Sequence, residues 1–416
     1  MTRKISLNLL LGGIFVFLLM MSLSNAAAQD NFQFNLTMEG QKEGAPSASA
    51  GLPPGDSASD DLEMEKILRA GRREEPNFDI PIVINGRVEQ FIQFFQTRIR
   101  HKFVTWLSRS EKYIHFMKSV LKEHGLPEDL VYLSLIESGF DPHAYSRAKA
   151  VGLWQFIYLT GKRYGLRSNW WVDERRDPEK STIAAAKYLK DLYEMFECWY
   201  LAAAGYNAGE YKIINAIKRY KTEDFWKLSN YRYLKRETKD YVPLMIAATL
   251  VAKDPEKYGF IDVEYQEPLR YEKVKVPELT DLSHIAKACE TSLEEIKDLN
   301  PELRREVTPP NETEYELKIP FGKKDLFLKN FEAMQPLEKF PFKTHLVKKG
   351  DTLPGIAKLY RVDLEPLLEI NHLNKTSPLS KGTTVLIPLS KDEVIPVVVA
   401  QKKNGKPRNN RLAKKL

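Results

Sequence analysis

Cysteine is scarce in this sequence, and its scarcity excludes two kinds of structure. Only two cysteines, Cys198 and Cys289, occur among 416 residues, and neither belongs to a CxxC motif or a Cys/His cluster. Disulfide-stapled folds and structural zinc sites need more of these residues at closer spacing. We therefore expect two buried free thiols, with neither a disulfide framework nor a zinc site.

Excess charge is also scarce once the last residues are set aside. Residues 401–416 contain five Lys, two Arg and no acidic residue, which accounts for the whole net charge of +7. The preceding 400 residues are neutral overall, so the sequence predicts no basic face for a nucleic acid. We expect the basic tail, residues 390–416, to be solvated. The alternative is a weak peripheral contact with a membrane or with anionic polymers.

The apolar run near the start of the sequence is short. Arg3 and Lys4 precede an apolar stretch from Leu9 to Met21, and small residues follow at 26–28. This stretch falls short of the ~20 apolar residues that span a bilayer. The pattern predicts a signal peptide over residues 1–28, cleaved near Ala28, and export to the periplasm or cell envelope. Retention as an anchor is the alternative, and no cysteine is present there to carry a lipid.

Composition and periodicity then divide the rest of the chain. Residues 29–77 are rich in Gly, Pro, Ser and charge, which predicts a disordered linker. Residues 78–258 show apolar residues at three- and four-residue steps and contain all six tryptophans, which predicts a mainly α-helical domain. The predicted helices beyond its first apolar stripe are 111–124, 128–139, 180–196, 209–219 and 237–252.

The last third of the chain contains an internal repeat. A constant offset of 71 residues relates two sets of positions: Leu282, Ile285, Ala286, Ile296, Leu299 and Asn300 match Leu353, Ile356, Ala357, Leu367, Ile370 and Asn371. A predicted strand precedes each set, and another strand ending in Pro follows it. The repeat predicts two small βααβ modules, at 268–322 and 343–389, and an α+β fold class for the chain.

Glu137 is the candidate for acid/base chemistry. In the predicted helix 128–139, Leu130, Leu133 and Glu137 share one face, which is otherwise apolar. Desolvation among such neighbours favours the protonated carboxyl group, and a general acid at neutral pH needs that form. The alternative from this residue alone is an ordinary half-buried Glu that pairs with an arginine. Asp141 is the nearest alternative second carboxylate, and its place before Pro142 favours a turn role.

Four motifs occur in order around this residue: Glu137–Pro142, Gly152–Gln155, Gly205–Asn207 and Glu237–Tyr241. Together they resemble the motif series of the lytic transglycosylases with a goose-lysozyme-like fold, over residues 78–258. The resemblance implies a mainly α, lysozyme-like catalytic domain that cleaves the MurNAc-GlcNAc β-1,4 bond of peptidoglycan and forms 1,6-anhydroMurNAc ends. It implies no metal and no cofactor.

By this resemblance, Glu137 is the sole acid/base and Ser146 holds the N-acetyl group of the substrate. Gln155, Tyr206 and Asn207 line the sugar subsites, and Tyr241 orients Glu137 through a hydrogen bond. Each has a plain alternative: both tyrosines could be ordinary half-buried residues and Asn207 a helix N-cap. Two other functions stay open, a hydrolytic muramidase with the same cleft and a non-catalytic peptidoglycan-binding scaffold.

Residues 344–388 resemble a LysM domain, a family that binds N-acetylglucosamine-containing glycans. Gly350, Asp351 and Thr352 open its first helix, where Asp351 or Thr352 can cap the helix and Gly350 permits a tight turn. The resemblance places these three residues and Asn371 beside the glycan groove. The earlier module lacks the Gly-Asp-Thr run and is a degenerate relative. The implied partners are peptidoglycan glycan strands, with the basic tail as a further contact to wall or membrane.

Overall fold

The computed structural model describes residues 76–310, 312–334 and 342–388. The predicted signal peptide, nearly all of the predicted linker and the basic tail lie outside these residues. The chain divides into two compact units, Met1–Tyr271 with Lys297–Arg304, and Glu272–Ile296 with Arg305–Leu416. No helix in the three described ranges combines the length and hydropathy that crossing a bilayer requires.

The first unit is mainly helical. Its helices are α1 (Gly86–Thr97), α2 (Arg100–Glu123), α3 (Tyr132–Ser138), α4 (Tyr158–Arg163), α5 (Pro178–Phe196), α6 (Trp199–Ala208), α7 (Glu210–Tyr220), α8 (Phe225–Asn230) and α9 (Arg236–Lys253). The predicted apolar stripe is buried except for Ile99, which is half-buried, and its buried members are Phe91, Phe94, Phe95, Phe103 and Trp106. The rings of Phe95 and Phe103 stack at 4.3 Å between α1 and α2. The predicted helix 111–124 is the second half of the longer helix α2.

Helix α9 forms the centre of this unit. Every residue from Asp240 to Val251 is buried, as expected for a helix that is apolar nearly all round. It packs against α1, α3 and α6. The contact with α3 matters most, because it brings the fourth sequence motif beside Glu137.

The prediction of an α-helix over 128–139 is wrong for its first four residues. Residues Glu128–Val131 form a 3-10 turn, and the α-helix begins only at Tyr132. The carboxylate of Asp79 accepts hydrogen bonds from the backbone N–H groups of Glu128 and Asp129. These bonds satisfy donors at the start of the segment, so a tighter turn precedes the helix.

The second unit contains the second predicted βααβ module and most of the first, whose residues Lys297–Arg304 belong to the first unit. In the first, strands β1 (Tyr271–Val276, which begins at the boundary residue) and β2 (Tyr315–Pro320) pair, with α10 (Leu282–Ala288) and α11 (Leu293–Leu299) between them in sequence. Helix α12 (Lys324–Ala333) follows and was not predicted. The order of these elements along the chain confirms the predicted strand–helix–helix–strand arrangement.

The second module repeats this order. Strands β3 (Phe342–Leu346) and β4 (Thr384–Pro388) pair antiparallel, with His345 opposite Val385. Helices α13 (Leu353–Tyr360) and α14 (Leu364–Ile370) lie between them in sequence and share a buried apolar core with the sheet. A mainly helical unit followed by two small α/β modules confirms the predicted α+β class.

Candidate active site

Glu137 lies in the last turn of α3 and is only 8% exposed. The hydroxyl of Tyr241, on α9, donates a hydrogen bond of 2.7 Å to its Oε1. The structure therefore brings together the predicted acid/base residue and the tyrosine predicted to orient it. Their roles in catalysis stay predictions.

The electrostatics of Glu137 suit a group that exchanges protons near neutral pH. Burial raises its pKa to about 7, and the charge of Glu237 acts in the same direction. The hydrogen bond from Tyr241 opposes both effects, because it stabilises the carboxylate. Desolvation is the largest cause, as expected from the apolar neighbours of this helix.

The end of α3 is fixed by two contacts at Gly139. This residue has φ = 61°, and a Cβ there would lie 2.1 Å from Cδ1 of Trp106, so the ring can pack against the helix end only because glycine is present. The guanidinium of Arg109 donates to the carbonyl of Gly139 at 2.8 Å. The backbone at the end of the helix that carries Glu137 is thereby fixed.

Two serines connect α3 to the Gly152–Gln155 motif. The hydroxyls of Ser134 and Ser138 donate to the carbonyl of Leu153 at 3.0 and 2.8 Å. All three residues are buried. The loop that carries the second motif is thus fixed to the helix that carries Glu137.

Ser146 and Gln155 lie on this loop. Ser146 is 4% exposed, and its Oγ accepts a hydrogen bond from the N–H of Ala150. The side-chain amide of Gln155 donates to the carbonyl of Gly152 at 2.8 Å, while its Oε1 is buried without a partner among the described residues. Gln155 also has φ = 49°, a strained conformation that often marks a functional loop.

Arg175 holds the same loop from the other side. Its guanidinium is buried, forms a two-point ion pair with Asp173 at 2.8 and 2.7 Å, and donates to the carbonyls of Lys149 and Phe156. These two carbonyls lie at either end of the segment that carries Gln155. The backbone of Arg175 also approaches Gly152 so closely that a Cβ there would lie 1.9 Å from the carbonyl oxygen. Sequence reasoning missed this residue.

Tyr206 and Asn207 lie on α6. The hydroxyl of Tyr206 donates to the carbonyl of Trp154 at 2.7 Å. Burial and then the charge of Glu137 raise the pKa of Tyr206 well above its usual value, so this phenol remains a neutral donor close to the carboxyl group. Asn207 is inside the helix, which makes the alternative reading as an N-cap wrong.

Glu237 is a site residue for which the sequence predicted no role. It opens α9, and Asn207 donates a hydrogen bond to its carboxylate. Burial raises the pKa of Glu237, while Asn207 and the charge of Lys235 lower it. Its Oε1 is buried with no partner in the part of the chain that the structure describes. The available signal was its position at the start of the fourth motif.

Asp141 and Glu237 differ in their relation to Glu137. Glu237 is the carboxylate whose charge acts on Glu137. Asp141 instead accepts a hydrogen bond of 2.8 Å from the backbone N–H of His143. That is the turn role expected for an Asp before a proline.

The four predicted groove residues of the second module have structural contacts. Gly350 has φ = 94°, and Thr352 caps α13 by accepting from the N–H of Gly355. Oδ2 of Asp351 accepts from the N–H of Lys348 at 2.7 Å. Asn371 bonds to the carbonyls of Leu367 and Leu386 and to the N–H of Leu386, each at 2.7 Å. Their contacts with a glycan stay predictions.

The described residues contain no group of three or more His, Cys, Asp or Glu side chains arranged to hold a metal ion. The protein groups at Glu137 are one acid with a pKa near neutrality, one phenol that hydrogen-bonds to it, and two buried oxygens, on Gln155 and Glu237, without a partner among the described residues.

Three family models match the chain in sequence order. Residues 115–229 match the transglycosylase SLT domain. Residues 270–335 match the LysM-like domain of lytic transglycosylase MltD, and residues 345–388 match the LysM domain. The first match contains three of the four sequence motifs, and the other two fall on the βααβ modules.

Relatives with curated names give a consistent result. Membrane-bound lytic murein transglycosylase D of Escherichia coli (strain K12) is 31% identical over 297 residues, which are 67% of this chain and 64% of that protein. The match thus spans less than two thirds of the relative's own length. Peptidoglycan transglycosylase gp16 of Escherichia phage T7 is 33% identical over 144 residues, which are 33% of this chain and 10% of that protein.

Among solved structures, an inactive mutant of lytic transglycosylase Slt from Pseudomonas aeruginosa is similar at 20% identity with a TM-score of 0.29. The similar region covers 36% of this chain and 25% of the Slt chain. At this TM-score the likeness carries no argument about the fold.

Proposed function

We propose that this chain is a lytic transglycosylase of peptidoglycan. The premise is its match to a transglycosylase SLT domain, a LysM-like domain and a LysM domain. The observation that carries the proposal is the pairing of a buried Glu137, with a pKa of about 7, with the hydroxyl of Tyr241. A carboxyl group with this pKa can both donate and accept a proton near neutral pH.

In the first step, protonated Glu137 gives its proton to the oxygen of the MurNAc-GlcNAc β-1,4 bond. As this bond breaks, positive charge develops at C1 of MurNAc. The N-acetyl group of the same sugar would stabilise that charge. Ser146 suits the task of holding this group, since its Oγ accepts from Ala150 and its own hydrogen remains free to donate.

In the second step, ionised Glu137 removes the proton from the C6 hydroxyl of MurNAc. The C6 oxygen then closes onto C1 and forms the 1,6-anhydro ring, which returns Glu137 to its protonated form. The phenol of Tyr241 suits both steps, because its hydrogen bond stabilises the carboxylate that exists between them. Water and metal take no part in this sequence of bonds.

A hydrolytic muramidase is the second candidate, and Glu237 is the observation that favours it. Two-carboxylate glycosidases use a second carboxylate either as a nucleophile or as the base that activates water. Glu237 has a free oxygen and lies close enough to act on the pKa of Glu137. Against this candidate, burial raises the pKa of Glu237, which disfavours the ionised form that a base needs.

The two LysM-type modules support a wall-associated enzyme. Modules that each bind glycan weakly raise the effective concentration of a linked catalytic domain at the polymer. Export to the periplasm or cell envelope, through a signal peptide at residues 1–28, fits a peptidoglycan substrate. Peripheral contact through the basic tail remains part of this proposal.

The test is digestion of purified sacculi by the full chain, followed by mass spectrometry of the released muropeptides. A transglycosylase releases ends that are lighter by one water than those from hydrolysis, and a scaffold releases nothing. Glu137→Gln should lower the rate by about 10²–10⁴-fold while binding to sacculi persists. Glu123→Gln, in an exposed position on α2, is the matched control. Full activity of Glu137→Gln would overturn the assigned role, and ends without loss of water would select the muramidase.

A further inference from the structure

Three residues that belong in sequence to the LysM-like module, 302–304, pair with a turn of the catalytic domain. The family match places them in that module, yet Lys297–Arg304 belong to the first compact unit. Val172 and Leu303 form an antiparallel bridge, beside a second antiparallel bridge that closes the turn at 168–173. Residues 302–304, the pairing segment, therefore extend this turn by one strand-like edge.

Backbone hydrogen bonds hold the pairing segment on both sides of the bridge. The N–H of Asp173 donates to the carbonyl of Glu302, and the N–H of Arg304 donates to the carbonyl of Trp171, each at 2.8 Å. The guanidinium of Arg304 also donates to the carbonyl of Asn169. Trp171 and Asp173 are buried, and buried backbone groups need such partners. The segment thus satisfies donors and acceptors of the turn.

The internal repeat shows that this contact is particular to the first module. The offset of 71 residues makes 300–302 the counterpart of 371–373. Residues 300–302 are all buried, whereas His372 is exposed and its two neighbours are half-buried. The same turn of the module is therefore more accessible in the second copy than in the first, where it leads into the pairing segment.

Asp173 connects the pairing segment to the candidate active site. Its carboxylate forms the two-point ion pair with the buried guanidinium of Arg175, at 2.8 and 2.7 Å. Arg175 in turn donates to the carbonyls of Lys149 and Phe156, at 3.0 and 3.1 Å, on either side of Gln155. A displacement of the backbone of Asp173 would therefore displace the anchor of the loop that carries Gln155.

We propose that the pairing segment is a positioning element for this loop of the catalytic domain. It fixes the backbone of Asp173, which fixes Arg175, and Arg175 holds the loop that carries Ser146 and Gln155. Its residues act through others and do not touch the substrate. The inference rests on the proposed function, because this loop is the predicted substrate-binding loop. The contribution requires no glycan bound to the first module.

The experiment uses substitutions at Arg304 in the full chain. Arg304→Pro removes the N–H that bonds to Trp171, whereas Arg304→Ala keeps this N–H and removes only the guanidinium. Lys375→Pro is the matched control, because Lys375 is the exposed repeat counterpart of Arg304. It follows Asn374 in a turn closed by the N–H of Ser377 at 3.1 Å, a position that favours proline.

The first readout separates KM from kcat on soluble glycan strands. We expect Arg304→Pro to raise KM about fivefold, as for the loss of one hydrogen bond that holds the loop. The value of kcat should change less than about twofold, since the hydrogen bond between Tyr241 and Glu137 does not involve the segment. A loss of folded protein alone would lower kcat and leave KM unchanged. Arg304→Ala should shift KM less, and Lys375→Pro should not shift it.

The second readout is hydrogen exchange, which needs no substrate. The loop contains backbone bonds of its own, such as the one from the N–H of Val151 to the carbonyl of Phe156 at 3.1 Å. Arg304→Pro should speed exchange at residues 149–156 by about tenfold. Exchange in α1 (Gly86–Thr97), which lies outside the proposed connection, should stay as in the unsubstituted protein.

A milder variant covers the case in which Arg304→Pro does not fold. Leu303→Gly keeps every backbone donor and loosens the pairing segment, and it should move KM and loop exchange in the same direction by a smaller factor. Unchanged KM and unchanged loop exchange in the folded variant would overturn the proposal. Faster exchange spread equally over the loop and α1 would also overturn it.

Failure of the proposed function gives a different result. In that case, the unsubstituted protein would release no anhydro ends from glycan strands. The difference in loop exchange between Arg304→Pro and Lys375→Pro would still be present, because it depends only on the contacts of the pairing segment.

Discussion

The hydroxyl of Tyr241 donates a 2.7 Å hydrogen bond to Oε1 of Glu137, a residue 104 positions earlier in the chain. The bond joins two buried helices, α3 and α9, at the point where the candidate proton transfer takes place. It also lowers the pKa of Glu137 against the stronger effect of burial, which leaves a value of about 7.

Removing this bond should move the pH profile in a known direction. Tyr241→Phe takes away a donor that stabilises the carboxylate, so the pKa of Glu137 rises further above 7. General-acid activity needs the protonated form, and the alkaline limb of kcat/KM should therefore move to higher pH by about one unit. The value of kcat should fall, because the carboxyl group loses its orienting partner. An alkaline limb that stays at the same pH in Tyr241→Phe would contradict the proposed effect of this hydrogen bond on the pKa of Glu137.

Removing the carboxylate of Glu237 should move the pH profile of kcat/KM in the opposite direction. Glu237→Gln deletes a negative charge that raises the pKa of Glu137, so the alkaline limb should shift to lower pH. The products should remain anhydro muropeptides, as judged by mass spectrometry. If the unsubstituted protein also forms hydrolytic products and Glu237→Gln does not, Glu237 is the base that activates water. Glu223→Gln, an exposed site, is the control with an unchanged profile.

The raised pKa of Glu137 has a consequence for stability. The folded protein holds this proton more tightly than the unfolded chain, with a pKa of about 7 against 4.5. The contribution is fully present below pH 4.5 and is lost as the pH rises through 7. Above this range a buried charge destabilises the fold.

Glu137→Gln should therefore unfold at higher urea concentration than the unsubstituted protein when the pH is 8. The expected gain in the free energy of unfolding is about 3 kcal/mol at pH 8 and less than about 1 kcal/mol at pH 5. Urea titrations at the two pH values measure it. An equal effect at both would mean that Glu137 titrates normally in the folded state.

Arg175 should affect both stability and substrate binding. Arg175→Met leaves Asp173 buried without its partner, which costs about 3–5 kcal/mol in the free energy of unfolding. The loop that carries Ser146 and Gln155 loses two anchoring bonds, so KM should rise in the folded fraction.

Two further variants separate these effects of Arg175. The double variant Asp173→Asn, Arg175→Met should recover part of the stability but not the lower KM, because the loop carbonyls remain unpaired. Arg163→Met removes an exposed guanidinium from the half-buried Glu210 and should cost less than Arg175→Met, because Glu210 is not fully desolvated. An unchanged KM in Arg175→Met would show that the loop holds its position without this guanidinium.

Asn371 should be needed for the fold of the LysM module. Its three bonds connect the end of α14 to Leu386 in β4, so Asn371→Ala leaves backbone groups unpaired and should destabilise the module by about 2–4 kcal/mol. Thermal unfolding of the chain measures the loss, and sacculus binding should fall only where the module unfolds. Lys375→Ala removes an exposed pair with Glu365 and should have little effect. Lost binding in a folded Asn371→Ala module would assign the residue to the glycan groove.

Much of the architecture followed from periodicity. The apolar stripe around Phe95 and Phe103 and the helices near 178–196 and 236–253 were predicted because burial imposes a regular spacing on apolar residues. Both βααβ modules were predicted from the repeat with its constant offset of 71 residues. The 3-10 turn at Glu128–Val131 was not, because it depends on a carboxylate, Asp79, that is distant in sequence.

The features of the candidate site also divide into those predicted from the sequence and those that depend on the fold. The apolar neighbours of Glu137 on its helix made it a candidate, and the resemblance of the four ordered motifs predicted its acid/base role. Desolvation is the largest cause of its raised pKa. The influence of Glu237 and the contacts of Arg175 depend on helices and loops that meet only after folding. No local spacing in the sequence encodes them.

The sequence by itself determined the order of the main helices and strands, where the two modules repeat, and which glutamate stands in the first of the four motifs, since all of these depend on residue types at fixed spacings along the chain. Only the tertiary structure decided how close to neutrality the pKa of Glu137 lies, which carboxylate acts on it, and which buried donors, such as Nε1 of Trp226, have no partner among the described residues. These depend on distances between groups far apart in the chain, and electrostatic and hydrogen-bond energies are set by such distances.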